Sequence, residues 1–309
     1  MIKIVRYIFE LKSEWDNFID HSKNSTFLFY RDYMDYHSDR FNEHSVLIYE
    51  NDQLIGLFPA NEKNNNIYSH QGLTYGGLLM GREIKLPGVI SAFNELLTYY
   101  YNVGIESVYY KKQPSFYNQH HSFEDNYALY LSEPELSEMD CDFVIDNRSR
   151  LKMQERRNRG RKKAEKSGVE IIIDDDYSSF WKEVLEPKLK EKYSSTPVHT
   201  LDEILLLKSR FPDNIRQINA RYEGQVIAGV TIYDFLGVIA RTQYIASGSK
   251  GQELYALDLL FYKLINEFYS EYNYISFGSA FGENSKTLNS GLVDWKESFG
   301  ARAWTNNVY

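Results

Sequence analysis

The chain has 309 residues, 43% of them hydrophobic, and a formal net charge of −8 at pH 7. That length holds two ordinary domains or one large one, and the apolar fraction excludes a disordered polypeptide. A single cysteine, Cys141, excludes an internal disulfide and a cysteine-built zinc site.

From the N-terminus, Lys3, Arg6, Glu10 and Lys12 interrupt any signal-peptide stretch, and the longest apolar run, VIAGVTIY at 226–233, is too short to span a bilayer. A soluble, cytoplasmic protein is expected. Residues 44–60 then read as two β-rich runs joined by the polar turn Glu50-Asn51-Asp52-Gln53. NNIYSHQGLTYGGLLMG supplies a third strand and a Gly-rich loop, GVISAFNELLTYYYNVG an amphipathic helix, and IESVYYK a short strand.

The same order returns later. RQINARYEGQVIAGVTIYD forms a hairpin about Glu223-Gly224-Gln225, GVIARTQYIASGSKG a strand and loop, ELYALDLLFYKLINEFYSEY a helix starting near Glu253, and NYISFGS a strand. Leu54 to Ile105 spans 51 positions and Val226 to Ile275 spans 49, which marks an internal duplication. The expected fold class is α/β with mixed sheets, in two units, 1–145 and 146–309.

Between the copies lies RSRLKMQERRNRGRKKAEK at 148–166, with ten Arg or Lys against two Glu, so the block carries +8 and the remainder −16. The strand-like VEIII (169–173), the acidic turn Asp174-Asp175-Asp176 and the helical SSFWKEVLEPKLKEKYS follow. Thr200 and Glu203 make a capping box for the next helix, which accounts for Glu203 without a role in a site. The basic block is open to three uses: a solvated helix face, an anchor for phosphates with Arg157 and Arg161 on one face, or an RNA contact.

RNRGRKKAEKSGVEI (157–171), EGQVIAGVTIY (223–233) and LNSGLVDWKESFGAR (288–302) resemble, in that order, segments of the double-GNAT Fem-type peptidyltransferases and the acyltransferases with a BioF2-like domain. The resemblance implies two tandem GNAT-like domains with the acyl-transfer site in the second. It implies acyl transfer to an amine, from acetyl-CoA or another acyl-CoA, or from aminoacyl-tRNA. The loop SGSKGQE departs from the usual GNAT phosphate loop, so the donor stays open.

Acyl transfer needs an oxyanion stabiliser and a proton acceptor. The resemblance gives the first role to Lys296. His199, before the Thr200 cap, suits the second. Tyr244, on the third strand of the second copy, is a further catalytic candidate. Ser247, Gly248, Ser249, Lys250 and Gly251 lead into a helix N-terminus, a place suited to a pyrophosphate. Arg241 and Gln243 alternate with Thr242 and Tyr244 on that strand. Asp258 is the lone acid on an apolar helix face. His70 and Tyr75 in SHQGLTYGG are candidate acceptor contacts, and Glu283 and Asn289 belong to an expected pocket-rim loop. No motif calls for a metal. The expected acceptor is an amino sugar or phosphate-bearing cell-envelope precursor, with tRNA an alternative partner, DNA none, and a non-catalytic binding module the third reading.

Overall fold

The structure, a computed structural model, describes residues 1–235, 237–281 and 286–309, with Tyr193 described by its backbone alone. Contacts group Met1–Asp140 with Thr305–Tyr309 in one compact unit and Cys141–Trp304 in another. Against the division at 145/146, residues 141–145 fall in the second unit and the last five residues in the first.

The first unit contains β1 (Ile2–Arg6), α1 (Lys12–His21), α2 (Arg31–Met34), β2 (Asn42–Glu43), β3 (Val46–Glu50) and β4 (Gln53–Phe58). There follow β5 (Asn61–Lys63), β6 (Asn66–Tyr68), β7 (Leu79–Met80), α3 (Leu86–Asn102), β8 (Ser107–Tyr109) and α4 (Glu124–Leu131). One sheet runs β1-β3-β4-β7 and a second β2-β5-β6-β8, the β6–β8 pair being parallel. Val89, Phe93, Leu96 and Tyr100 form one apolar stripe of α3, at helical spacing, and join Val46, Ile48 and Phe58 in the core.

The second unit takes up β9 (Glu138–Asp146), α5 (Glu155–Lys166), β10 (Glu170–Asp174), α6 (Tyr177–Ser179), α7 (Glu186–Tyr193) and α8 (Leu201–Arg210). Next come β11 (Ile215–Tyr222), β12 (Gln225–Asp234), β13 (Ile239–Ser247), α9 (Ser249–Glu253), α10 (Ala256–Lys263), β14 (Tyr274–Ser279), α11 (Ser290–Glu297) and β15 (Arg302–Val308). Its sheet runs β10-β11-β12-β13-β14-β9-β15, with antiparallel pairs from β10 to β13 and between β14 and β9, and a parallel pair of β13 with β14. A wide π-helical stretch, Phe180–Leu185, joins α6 to α7, with the Glu186 N–H bonded to the Trp181 carbonyl five residues back.

Both expected hairpins form, and with the same turn. Asn51 and Asp52 have φ of 48° and 64°, and Glu223 and Gly224 have 51° and 79°. Two successive positive φ values are the turn that matches strand twist in a two-residue hairpin. The helix expected from Glu253 starts earlier, at Ser249, and breaks at Tyr255, whose φ is 57°.

The basic block forms α5, and its cations divide by face. Gly160 and Ala164 are buried, and a Cβ on Gly160 would stand 1.8 Å from the Asp258 carboxylate. Only glycine admits that approach of α5 to α10. Arg157 donates to Asp258 at 2.8 Å and to the Ser298 hydroxyl at 2.8 Å, and it lies over the Phe299 ring. Arg161 bonds Glu165 and covers Tyr262 at 4.2 Å. The expected phosphate anchor at Arg157 and Arg161 is therefore replaced by packing: both guanidinium groups are turned to protein partners. Arg159, Lys162 and Lys166 remain exposed.

Asp258 is thus a buried carboxylate paired with a guanidinium that is mostly withdrawn from water. Burial raises its pKa while Arg157 opposes the rise. Asp258→Ala leaves the half-buried Arg157 with Ser298 but without its carboxylate, and the expected loss is about 3 kcal/mol in urea unfolding. A loss below ~1 kcal/mol, the value of a surface pair, contradicts the assignment.

In the first unit, His70 is 3% exposed, and burial holds its imidazole down at about pH 3. The unfolded chain, with an ordinary histidine near 6.5, takes up the proton first as pH falls. Stability is therefore lost from pH 6.5 downward, at up to about 1.4 kcal/mol per pH unit. His70→Asn keeps a side chain that tolerates the φ of 59° at this position and removes the titration. The variant is expected to show a flatter decline in stability between pH 6.5 and 4.5 than the parent; an unchanged slope refutes the assignment.

Candidate functional site

The site of the second unit is a gap in its sheet. β13 and β14 are paired only through Ile239–Tyr274, Ala240–Ile275 and Arg241–Ser276. Beyond Arg241 the two strands part, and the β13 edge from Thr242 to Ser247 has no pairing with β14. Peptide groups left on an open edge need partners. Side chains supply some of them. The Thr242 hydroxyl donates to the Ser276 carbonyl at 3.3 Å, and the Ser276 hydroxyl accepts from the Gly278 N–H at 3.2 Å.

Lys296 holds the other side of the gap. Its ammonium, 3% exposed, donates to the Gly278 carbonyl at 2.9 Å and to that of Ser279. Two of its three donors are fixed on the end of β14, and the charge sits 5.8 Å from the centre of the Phe143 ring. Arg241 reaches Asp142 on β9, at 3.5 Å, from the last paired position.

β13 carries a bulge where it leaves β14. Thr231 pairs with Tyr244 and Ile232 with Thr242, so Gln243 is the extra residue. Strict alternation, which puts Arg241 with Gln243 on one face and Thr242 with Tyr244 on the other, is corrected here: an extra residue re-aims the side chains around it. Gln243 Oε1, at the bulge, is buried without a hydrogen-bond partner. Tyr244 turns to the π-helical stretch, its ring 5.1 Å from that of Trp181.

Tyr244 there meets His199. The His199 backbone N–H donates to the phenol oxygen at 3.0 Å, and His199 Nδ1 lies 2.5 Å from it. The Trp181 indole N–H donates to the His199 carbonyl at 3.4 Å and holds the segment in place. Burial pushes the Tyr244 phenol up to about 12, against the N–H of His199 and the side chain of Gln243. The hydroxyl is therefore protonated at neutral pH. His199 lines an open groove with Lys182, Glu186, Lys190 and the segment 194–200.

Five residues beyond Gln243, roughly 17 Å along an extended strand, the chain turns into α9. Gly251 is forced there: a Cβ would meet the Ile227 carbonyl at 2.3 Å and the Ser247 hydroxyl at 2.5 Å. Gly248 is the helix N-cap, so the N–H groups of Ser249, Lys250 and Gly251 have no partner within the helix. The Lys250 ammonium bonds Glu253 at 3.0 Å and is solvent-exposed.

The remaining candidates stand apart. Asn289 caps α11 through a bond from the Leu292 N–H. Asp258 belongs to the α5–α10 ion pair, and Glu283 lies outside the described residues. His70 and Tyr75 are interior groups of the first unit, not groove residues: the Tyr75 hydroxyl donates to Thr26 at 3.0 Å. That unit repeats the three-residue parallel pair, between β6 and β8, but closes the gap beyond it. Gly76 N–H bonds the Lys111 carbonyl, and the Tyr110 hydroxyl, fully enclosed, takes the Leu78 N–H at 2.8 Å. Gly77, at φ 96°, admits Tyr110 where a Cβ would stand 2.9 Å from its ring. Among the described residues, the second unit keeps an open strand edge beside such a pair and the first does not.

Sequence reasoning misses the buried chain behind Tyr244. Thr231 donates to Gln217 at 2.8 Å, Gln217 to Asn219 at 2.8 Å, and Asn219 to Asp174 at 2.6 Å. The alternation Gln217, Asn219, Arg221 on β11 is the signal for it, since polar residues on an inward face need partners.

No family model matches the chain, and no curated protein matches it. Solved structures do. FemX superposes with a TM-score of 0.66 at 9% identity, over 99% of this chain and 96% of that one. A conserved protein of unknown function from Bacteroides thetaiotaomicron gives 0.60 at 10% identity, over the whole of both chains. The C-terminal domain of a putative lysylphosphatidylglycerol synthetase from Agrobacterium fabrum gives 0.57 at 9% identity, over 85% and 80%. With its repeated element order and its parted parallel strands, the chain shares the fold of FemX.

Proposed function

We propose that the protein is an N-acyltransferase, with the donor lying along the open edge of β13 in the second unit. The observation that carries this reading is the parting of β13 from β14 beside the His199–Tyr244 pair. The edge offers peptide groups to an extended thioester arm, and the buried, unpartnered Gln243 Oε1 suits an amide N–H of such an arm. The N–H groups at Ser249–Gly251 suit its phosphates. Acetyl-CoA or another acyl-CoA fits these features as donor.

In this reading the amine nitrogen of the acceptor attacks the thioester carbonyl; a C–N bond forms and the C–S bond breaks. With Nδ1 protonated, both His199 donors point at the Tyr244 oxygen, and Nε2 takes the proton lost by the amine. Tyr244, neutral because burial raises its pKa, gives its proton to the leaving thiolate. His199 passes its Nδ1 proton to the Tyr244 oxygen and keeps the amine's proton on Nε2, so both groups end neutral, and proton exchange with solvent restores the Nδ1-H tautomer before the next turnover. Lys296 keeps β14 away from β13 and adds positive charge at the mouth of the gap, where the oxyanion develops.

A second reading keeps the chemistry with aminoacyl-tRNA as donor. It rests on α5: Lys163 lies 4.8 Å over the Tyr255 ring, which brings the exposed cations of that helix beside the α9–α10 junction. Calorimetric titration separates the two. Saturable heat with acetyl-CoA supports the first; heat with none of a set of CoA thioesters, together with filter retention of aminoacyl-tRNA, replaces it with the second.

Tyr244→Phe is expected to lower kcat by ~100-fold with acetyl-CoA affinity unchanged, because the phenol protonates the leaving group and holds His199, and neither role lies in donor binding. Equal turnover for the variant removes Tyr244 from the chemistry. Lys296→Met is expected to cost ~100-fold or more in turnover while the protein remains folded by circular dichroism. Full activity of that variant leaves Lys296 without a part in transfer.

A further inference from the structure

The groove at His199 carries a charge pattern that the acyl-transfer reading does not use. Lys182, Glu186 and Lys190 are spaced four residues apart along the helical run 182–190 and line one cavity of about 1020 Å³. Ser194, with a left-handed φ of 49°, turns the chain so that 194–200 forms the facing wall. His199, 4% exposed, lies at its base, held by Trp181 and Tyr244.

Glu186 could pair with Lys190, four residues on in α7 at the spacing of ordinary helix ion pairs, or with Lys182, four residues back in the π-helical stretch. Among the described residues it does not: none of the three side chains is in an ion pair within 4.0 Å, whereas Lys188 is bonded to Glu191 on the same helix. An exposed helix pair contributes about 0.3–0.5 kcal/mol, so a ligand bearing both signs displaces little by taking these groups. The cavity charge is +1, with the negative group between two positive ones.

We propose that this groove selects an acceptor amine that also carries an anionic group, a carboxylate or a phosphate. Glu186 receives the amine end, as its ammonium, beside His199, and Lys182 or Lys190 the anion. This rests on the acyl-transfer reading for the word acceptor; the selectivity itself is a property of binding and is measured without turnover.

The test is equilibrium binding to the full chain by protein-observed NMR, with ethanolamine, β-alanine and phosphoethanolamine as probes at equal ionic strength. The expected order places both anionic amines at least ~10-fold tighter than ethanolamine, a difference of 1.4 kcal/mol. β-Alanine ahead of phosphoethanolamine assigns a carboxylate, and the reverse order a phosphate. Lys182→Ala with Lys190→Ala, exposed positions whose replacement leaves the fold intact, is expected to abolish the difference, and Glu186→Gln to weaken all three amines. Equal affinity for the three probes, or a preference that survives the double variant, overturns the proposal. Binding in the expected order with no acetyl-CoA-dependent product leaves the selectivity standing and rejects the acyl-transfer reading alone.

Discussion

The second unit depends on a sheet that is allowed to come apart. Two parallel strands paired over three residues would zip further unless other groups took their peptide bonds. Lys296 does so at Gly278 and Ser279, and the hydroxyls of Thr242 and Ser276 do so nearer the fork. Each satisfied carbonyl is one that β13 cannot claim. The ammonium is buried, so removing it exposes the cost of two orphaned acceptors as well as the loss of a charge.

The fork explains why the bulge matters. An unbulged β13 would place Gln243 in the ladder and turn Tyr244 by one position, away from Trp181 and His199. With the extra residue, Tyr244 joins the polar face continued by Thr231, Gln217 and Asn219, and that hydrogen-bonded chain fixes the orientation of the strands behind it. The first unit shows the alternative outcome of the same plan. There the Gly76–Lys111 bond and the Tyr110 hydroxyl satisfy the edge internally, and no gap remains.

Much of this was legible in the residues. The paired hairpins follow from Asn-Asp and Glu-Gly turns between alternating runs, and the Thr200–Glu203 capping box forms as its spacing dictates. His199 and Tyr244 each suit catalysis by residue type, but they lie 45 positions apart and their contact depends on tertiary packing. The bulge at Gln243 leaves no local mark, since no glycine announces it. Arg157 misled for a related reason: its helix spacing is that of a surface pair, and only Gly160, small enough for Asp258 to approach, signals that the face is buried.

The central claim is that the open edge of β13 receives the acyl donor. Hydrogen–deuterium exchange of the intact protein with and without acetyl-CoA tests it directly, because the amides from Thr242 to Gly251 are those the donor would cover. The account predicts slowed exchange concentrated in peptides covering 242–251 and 276–279. Slowing confined to the first unit, with 242–251 unchanged at saturating acetyl-CoA, would contradict it.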